Sequence, residues 1–210
     1  AVKLQPRTPV DTFIINGSEC EPYLTCDYRV MLEKTDEVVR GARYIAKALG
    51  VTRIMIGIET NKPDCIEAFE KYDDVQVVAL RKLYPMGGEK QLIYSATGRK
   101  VGLGKLPADV GVVVNNVATC LAVCEAIELG KPDLDSILTV SGRSIERTAN
   151  VLVPVGTPFS YIIEKCGGEK DAPKKVVLGG PMTGIAVKDY DYFVKKTTSG
   201  ILLLSDKEAA

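Results

Sequence analysis

The sequence predicts an α/β protein in two domains, a parallel sheet wound with helices followed by a smaller, β-rich domain. Apolar runs alternate with amphipathic stretches as far as Gly130, and from Asp135 onward the runs become short and closely spaced. The first pattern is typical of βαβ units, and the second of a mixed sheet around few helices. We therefore predict domains over residues 1–134 and 135–210.

The first domain reads as an alternation of strands and helices. We predict strands over 12–15, 53–58, 75–80 and 109–115, and helices over 36–49, 64–72 and 118–128. The 36–49 helix has its apolar residues on one side, and Gly50 stands where helices commonly end. Its apolar stripe should pack on the sheet.

The second domain reads as short strands around one helix. The strands are expected over 136–141, 150–155, 175–178 and 201–204, and the helix over 158–166. The polar segment 188–196 is a loop or a hairpin.

Composition excludes several classes of function. Lys plus Arg and Asp plus Glu both number 27, so there is no basic field to hold nucleic acid or an anionic membrane. No apolar run approaches the roughly 20 residues of a membrane span, and no signal pattern opens the chain, so we expect it in the cytoplasm. Without histidine, imidazole acid–base chemistry and Ser-His or Cys-His nucleophiles are excluded. The six cysteines lack the spacing of disulfide frameworks or metal sites and are expected as free thiols.

Polar residues crowd the loop after the first strand, which holds Asn16, Glu19, Glu21 and Asp27. Open α/β sheets bind ligands beyond the carboxyl ends of their strands, and these acids could accept hydrogen bonds from ribose hydroxyls or a ring N–H. The competing interpretation is a solvated loop in which Asp27 caps a following helix.

Two further loops follow strands of the same sheet. In Tyr84–Leu92, Gly87 and Gly88 permit close backbone approach and Lys90 adds charge, which favours an anion, although a tight turn explains the glycines equally well. After the fourth strand, Asn115, Asn116 and Thr119 could read a ring edge or hold a phosphate, or Asn116 could simply cap a helix. Together the three loops predict one crevice.

Two glycine-rich segments are interpreted as structural. Residues 98–104 lack the third glycine of a dinucleotide fingerprint and are expected to form a flexible loop. Residues 179–184 (Gly-Gly-Pro-Met-Thr-Gly) are expected to form a turn able to pack closely on a neighbour.

At these residues the sequence resembles the RnfC family of the Rnf electron-transport complex, the ion-translocating ferredoxin:NAD oxidoreductase. The resemblance rests on Ile15-Asn-Gly-Ser-Glu-Cys-Glu-Pro-Tyr-Leu-Thr-Cys-Asp27, Tyr84-Pro-Met-Gly-Gly-Glu-Lys-Gln-Leu92, Leu106-Pro-Ala-Asp-Val-Gly111 and Gly179-Gly-Pro-Met-Thr-Gly184. A more distant likeness is to the flavin-binding subunit of respiratory complex I, through the Asn16 to Pro22 loop and Asn115-Asn-Val-x-Thr119.

The resemblance implies a Rossmann-like domain that binds FMN and meets NADH, followed by a β-grasp domain of the soluble-ligand-binding (SLBB) type. It implies electron transfer between NAD(H), FMN and iron–sulfur carriers, at the cytoplasmic side of a membrane and among other subunits of the complex. No catalytic side chain or metal ligand is implied. The implied cofactor-binding residues are Lys3, Asn16, Glu19, Glu21, Asn115, Asn116 and Thr119. Glu19 and Glu21 are also expected to face the nicotinamide nucleotide and to tune the flavin potential.

Two family features lie outside these 210 residues: a glycine-rich phosphate loop before Lys3 and the 4Fe-4S cluster motifs beyond the second domain. We therefore expect an N-terminally truncated central fragment that binds flavin weakly or not at all and is inactive alone. The alternatives are a cobalamin-reductase-like protein, an electron donor to amino-acid reductases, and a non-catalytic docking or ligand-binding module.

Overall fold

The computed structural model describes residues 2–209 and divides into two compact units. The first unit comprises residues up to Cys20 and Asp27–Pro132. The second comprises Glu21–Cys26 and the chain from Asp133 onward. The short stretch Glu21–Cys26 therefore interrupts the first unit in sequence and belongs to the second.

The first unit is a four-stranded parallel sheet with helices between its strands. Its strand order is β3-β2-β1-β4, so that β1 lies between β2 and β4. This confirms the predicted Rossmann-like α/β architecture. Its elements are β1 (Thr12–Asn16), α1 (Cys26–Glu33, whose first residue belongs to the second unit), α2 (Thr35–Leu49), β2 (Arg53–Glu59), α3 (Pro63–Phe69), β3 (Val75–Leu80), α4 (Glu89–Thr97), β4 (Val112–Asn116) and α5 (Val117–Leu129).

The core of this unit lies on the faces of the sheet. Ile14, Met55 and Val112 of three adjacent strands pack against Leu92 and Ile93 of α4. Helix α2 contacts β1, β2 and α5, and it buries the apolar stripe that the sequence predicts. Packing on both faces of the sheet stabilises the parallel strands, and the loops beyond their carboxyl ends are not needed for this core.

The second unit is a five-stranded mixed sheet with one helix. The strand order is β6-β5-β9-β7-β8, with β5 and β9 parallel and the other pairs antiparallel. Phe159, Ile162 and Ile163 of the helix pack against the buried residues of β5 and β9, as in a β-grasp fold. The elements are β5 (Asp135–Ser141), β6 (Ala149–Pro154), α6 (Phe159–Lys165), β7 (Lys175–Leu178), β8 (Ile185–Val187) and β9 (Gly200–Leu204).

Several local details differ from the sequence predictions. The predicted strand 109–115 begins only at Val112, because Pro107–Val110 forms a 3-10 turn whose Asp109 carboxylate accepts the Leu106 N–H at 2.9 Å. Helix α1 was anticipated only as the helix that Asp27 would cap, without bounds, and the short strand β8 was not predicted, since each is short and lacks a clear apolar period. Across residues 2–209, no helix has the length and apolar character needed to cross a membrane.

Candidate cofactor site

The carboxyl ends of β1 and β4 meet at one edge of the parallel sheet. Asn16 pairs with Asn116 in register, and Ile15 pairs with Asn115. The chain leaves β1 toward β2 and β3 and later returns on the other side of β1 as β4, so the strand order reverses here. Such a switch point opens a crevice between the loops that follow the two strands, and it is where α/β sheets bind ligands.

Asn16 joins the loop after β1 to the Gly87-Gly88 turn. Its Nδ2 donates to the Gly87 carbonyl at 2.9 Å, while its Oδ1 accepts the Ser18 N–H at 3.1 Å. The two segments are so close that a Cβ on Gly87 would stand 2.8 Å from the Ser18 carbonyl oxygen. Gly87 is therefore required by close packing of the backbone.

Ser18 is a candidate that sequence reasoning missed. The residue is 8% exposed, and its Oγ has no hydrogen-bond partner among the described residues. A buried hydroxyl without a partner is destabilising, and one beside a glycine turn at a sheet edge is suited to a ligand. The sequence carries no signal for it, because a serine in a polar loop is ordinary.

Lys3 ties the start of the chain to this edge. Its Nζ donates to Glu89 Oε1 at 2.6 Å and to the carbonyl oxygen of Val114, in β4, at 2.7 Å.

Gly88 occupies the N-cap of α4 and has no side chain to accept the first N–H groups of that helix. Lys90 is exposed and donates to the Gly102 carbonyl at 2.9 Å.

Glu19 caps the start of α1. Its carboxylate accepts the N–H groups of Asp27 at 2.9 Å and of Tyr28 at 3.3 Å. Burial and the neighbouring Asp27 raise the pKa of Glu19 from 4.5 to about 7, against the effect of the two backbone donors. The structure thus assigns the cap to Glu19, whereas the sequence suggests Asp27.

Asn116 has two structural roles. Its Oδ1 accepts the Ala118 N–H at 2.7 Å and caps α5, as the capping interpretation predicts. Its Nδ2 donates to Asp27 Oδ2 at 2.6 Å. Burial raises the pKa of Asp27, and this hydrogen bond opposes the shift. Asn115 is half-buried at the end of β4, and Thr119 is exposed in the first turn of α5.

Glu21 lies in the second unit. Its Oε2 accepts the Met182 N–H at 2.9 Å and its Oε1 accepts the Thr183 hydroxyl at 2.5 Å. A Cβ on Gly180 would stand 2.3 Å from Oε2, so the glycine-rich turn 179–184 closes tightly around this carboxylate. Of the seven residues implied by the resemblance, the structure places six at the carboxyl edge of the first unit, and Glu21 in the turn of the second.

Two family models match the chain. The model described as the Nuo51 FMN-binding domain matches residues 1–125, and the SLBB domain model matches residues 137–186.

Curated relatives cover almost the whole chain. The C subunit of a proton-translocating ferredoxin:NAD(+) oxidoreductase complex from Clostridium ljungdahlii is 50% identical over 97% of the chain and 45% of its own length. The C subunit of an ion-translocating oxidoreductase complex from Rhodobacter capsulatus is 45% identical over 99% of the chain and 41% of its own length. The C subunit of a Na(+)-translocating ferredoxin:NAD(+) oxidoreductase complex from Acetobacterium woodii is 42% identical over 98% of the chain and 47% of its own length. These relatives confirm the resemblance, and the chain spans less than half the length of each.

The fold also has solved counterparts. A chain of an NAD+-reducing NiFe hydrogenase in the air-oxidised state superposes with a TM-score of 0.80 at 18% identity, covering 98% of this chain and 42% of the other. A chain of such a hydrogenase in the H2-reduced state superposes with a TM-score of 0.74 at 16% sequence identity. At these identities the likeness shows the fold. The family models decide the family, because the Nuo51 model covers more than half of the residues: the chain belongs to the Nuo51 FMN-binding domain family and carries an SLBB domain after it.

Proposed function

We propose that the chain forms the FMN-binding part of the C subunit of an ion-translocating ferredoxin:NAD(+) oxidoreductase. The FMN lies at the carboxyl edge of the first unit, where the loops after β1, β3 and β4 meet. When bound, FMN supplies hydride exchange with NAD(H) and one-electron transfer to iron–sulfur carriers. The residues of this chain supply binding, orientation and charge.

The observation that carries this proposal is the Ser18 hydroxyl, buried and without a partner among the described residues, beside the backbone of Gly87. A polar ring edge would satisfy that hydroxyl, as an unsatisfied buried group requires. The uncapped N–H groups at the start of α4 are suited to an anion such as a phosphate. The donor set of the edge therefore fits FMN.

The six residues of the first unit divide into two kinds. Asn16 and Lys3 fix the loop and the strand end by hydrogen bonds within the protein. Glu19, Asn115, Asn116 and Thr119 form the rest of the edge, and Glu19 brings a carboxylate whose protonation changes near neutral pH. Both oxygens of Glu21 already accept hydrogen bonds, so we assign it to the turn that it holds.

Several further features of the proposal concern the whole protein. By similarity to its relatives, the protein works in a complex with other subunits and exchanges electrons with NAD(H), and the family resemblance supports delivery of these electrons to 4Fe-4S clusters. We place it peripherally at the cytoplasmic side of the membrane that carries the complex.

Anaerobic purification followed by FMN analysis tests the proposal. For the full-length protein we expect stoichiometric FMN, or quenching of flavin fluorescence when FMN is titrated into the purified protein, and bleaching of the flavin band on addition of NADH. A full-length protein that neither retains nor rebinds FMN would contradict the assignment. Binding of FMN without reduction by NADH would preserve the cofactor site and overturn the reaction.

A further inference from the structure

A buried ion pair lies at the end of β2 and has no role in the proposed function. Lys62 Nζ stands 2.5 Å from Glu59 Oε2, and the two side chains are 9% and 2% exposed. Removing two charges from water is costly, and such a pair is weak evidence for stability. Its position therefore calls for another explanation.

The pair lies at the same edge as the loop after β1. Strand β2 neighbours β1, with Gly57 opposite Asn16, and Glu59 follows two residues later. Lys62 Nζ also approaches the Glu19 carbonyl oxygen at 3.4 Å, a long contact that adds to its short bond with Glu59. The ammonium is thus shared between the end of β2 and the acidic loop.

Several ionisable groups surround Glu19 from the elements packed against it. Asp27 comes from α1 and Cys65 from α3, and Asp64 of α3 acts on Cys65. Burial raises the pKa of Glu19, of Asp27 and of the Cys65 thiol, and the charge of Lys62 opposes the shift at each of the three. At Asp64 a hydrogen bond from Tyr28 lowers the pKa, and Lys62 acts in the same direction.

We propose that Lys62, held by Glu59, is the positioning residue of the acidic loop: it fixes the Glu19 backbone and keeps a buried positive charge beside the Glu19 and Asp27 carboxylates. Its role as a determinant of the flavin site rests on the proposed function. Its effect on Glu19 does not, because that effect belongs to the protein without flavin. Lys62 acts through Glu19 and touches no cofactor.

Carbon-13 NMR of the glutamate carboxyl groups tests the inference on the flavin-free protein. The Glu19 signal is assigned by its loss in Glu19→Gln, and its titration is compared between the wild type and the double variant Lys62→Met/Glu59→Gln. The double variant removes both buried charges together, which avoids an unpaired one. We expect the titration midpoint of Glu19 to rise by about one pH unit, because of the two lost charges Lys62 is the one that lowers the pKa of Glu19.

Two single variants separate charge from structure. Glu59→Gln keeps the ammonium and should leave the Glu19 midpoint at or below that of the wild type, whereas mere disruption of the pair would move it as the double variant does. Lys47→Met, at an exposed position of α2, should leave the Glu19 titration midpoint unchanged. An unchanged midpoint in the double variant, or equal rises in the double variant and Glu59→Gln, would overturn the inference.

In the FMN-loaded protein, the pH at which the flavin midpoint potential changes slope should move with the Glu19 midpoint. If FMN binds and this pH stays fixed in the double variant while the Glu19 midpoint rises, Lys62 has no influence on the flavin site. If FMN does not bind at all, the proposed function fails and the NMR titration still judges Lys62.

Discussion

The side-chain amide of Asn16 donates a 2.9 Å hydrogen bond to the carbonyl of Gly87, 71 residues further along the chain. This bond joins the end of β1 and the loop that follows it to the turn that precedes α4. Because Asn16 also accepts the Ser18 N–H, its side chain sets the distance between the loop after β1 and the Gly87-Gly88 turn in the candidate site.

Replacing Asn16 with alanine should therefore open that edge. The Gly87 carbonyl and the Ser18 N–H each lose a partner, so we expect a loss of about 1–2 kcal/mol in the free energy of unfolding and at least about tenfold weaker FMN binding. Urea unfolding and flavin fluorescence measure the two effects. Asn61→Ala, in the exposed turn after β2, is the matched control. Equal FMN affinity in both variants would argue against a site at this edge.

Ser18→Ala should separate stability from binding. Removing a buried hydroxyl that has no partner among the described residues leaves the flavin-free protein as stable as before or up to about 1 kcal/mol more stable, while FMN binding weakens about five- to tenfold. Ser144 in the second unit is an equivalent buried hydroxyl without a partner among residues 2–209, so Ser144→Ala should stabilise similarly and leave FMN binding unchanged. The assignment of Ser18 does not survive if the two variants bind FMN equally well.

Gly87→Ala should push the turn away from the loop after β1. The added Cβ would stand 2.8 Å from the Ser18 carbonyl oxygen and 3.2 Å from Cys20 Sγ, and the backbone has to move. We expect a loss of about 1–3 kcal/mol in stability, as for overpacked sites, together with weaker FMN binding. In Gly102→Ala the new Cβ meets only Lys105 Cγ at 3.6 Å, an ordinary contact, so this control should behave as wild type.

Glu19 should make stability fall as the pH rises through the interval from 4.5 to about 7. The folded state holds the proton more tightly than the unfolded state, whose pKa is near 4.5, so stabilisation by this group is complete below 4.5 and is lost as the pH rises toward 7. Glu19→Gln should remove about 2–3 kcal/mol of the stability difference between about pH 5 and about pH 8. Denaturant unfolding at both values checks this, and an identical pH difference in the variant would contradict the raised pKa.

Glu21→Ala should destabilise the second unit. The variant leaves the Met182 N–H and the Thr183 hydroxyl without their acceptor, so we expect a loss of about 2–3 kcal/mol from two charge-assisted hydrogen bonds. Hydrogen exchange at the turn 179–184 should increase. Glu164→Ala on the exposed side of α6 should be neutral. Unchanged exchange in Glu21→Ala would show that the carboxylate does not hold the turn.

The alternation of apolar runs and amphipathic helices already determines the parallel sheet, because burial on both faces demands apolar strands with helices between them. The apolar period of residues 36–49 predicts helix α2, which buries its apolar stripe on β1 and β2. The ends of the predicted strands give the location of the polar loops. The resemblance to a family rests on the same loops. Local pattern was insufficient for residues 109–111, where a proline and a side-chain hydrogen bond formed a turn in place of a strand.

The roles within the loops depend on contacts between residues far apart in the chain. In sequence, Glu19 and Glu21 form one acidic pair, two residues apart. In the structure the first caps α1 in one unit, and the second accepts hydrogen bonds from a glycine-rich turn in the other. The sequence by itself determined the sheet, the chemistry available at its edge and the family. Only the tertiary structure decided which carboxylate meets which donor, and that Ser18 is buried with no partner among residues 2–209, because burial and hydrogen-bond partners depend on packing between distant segments.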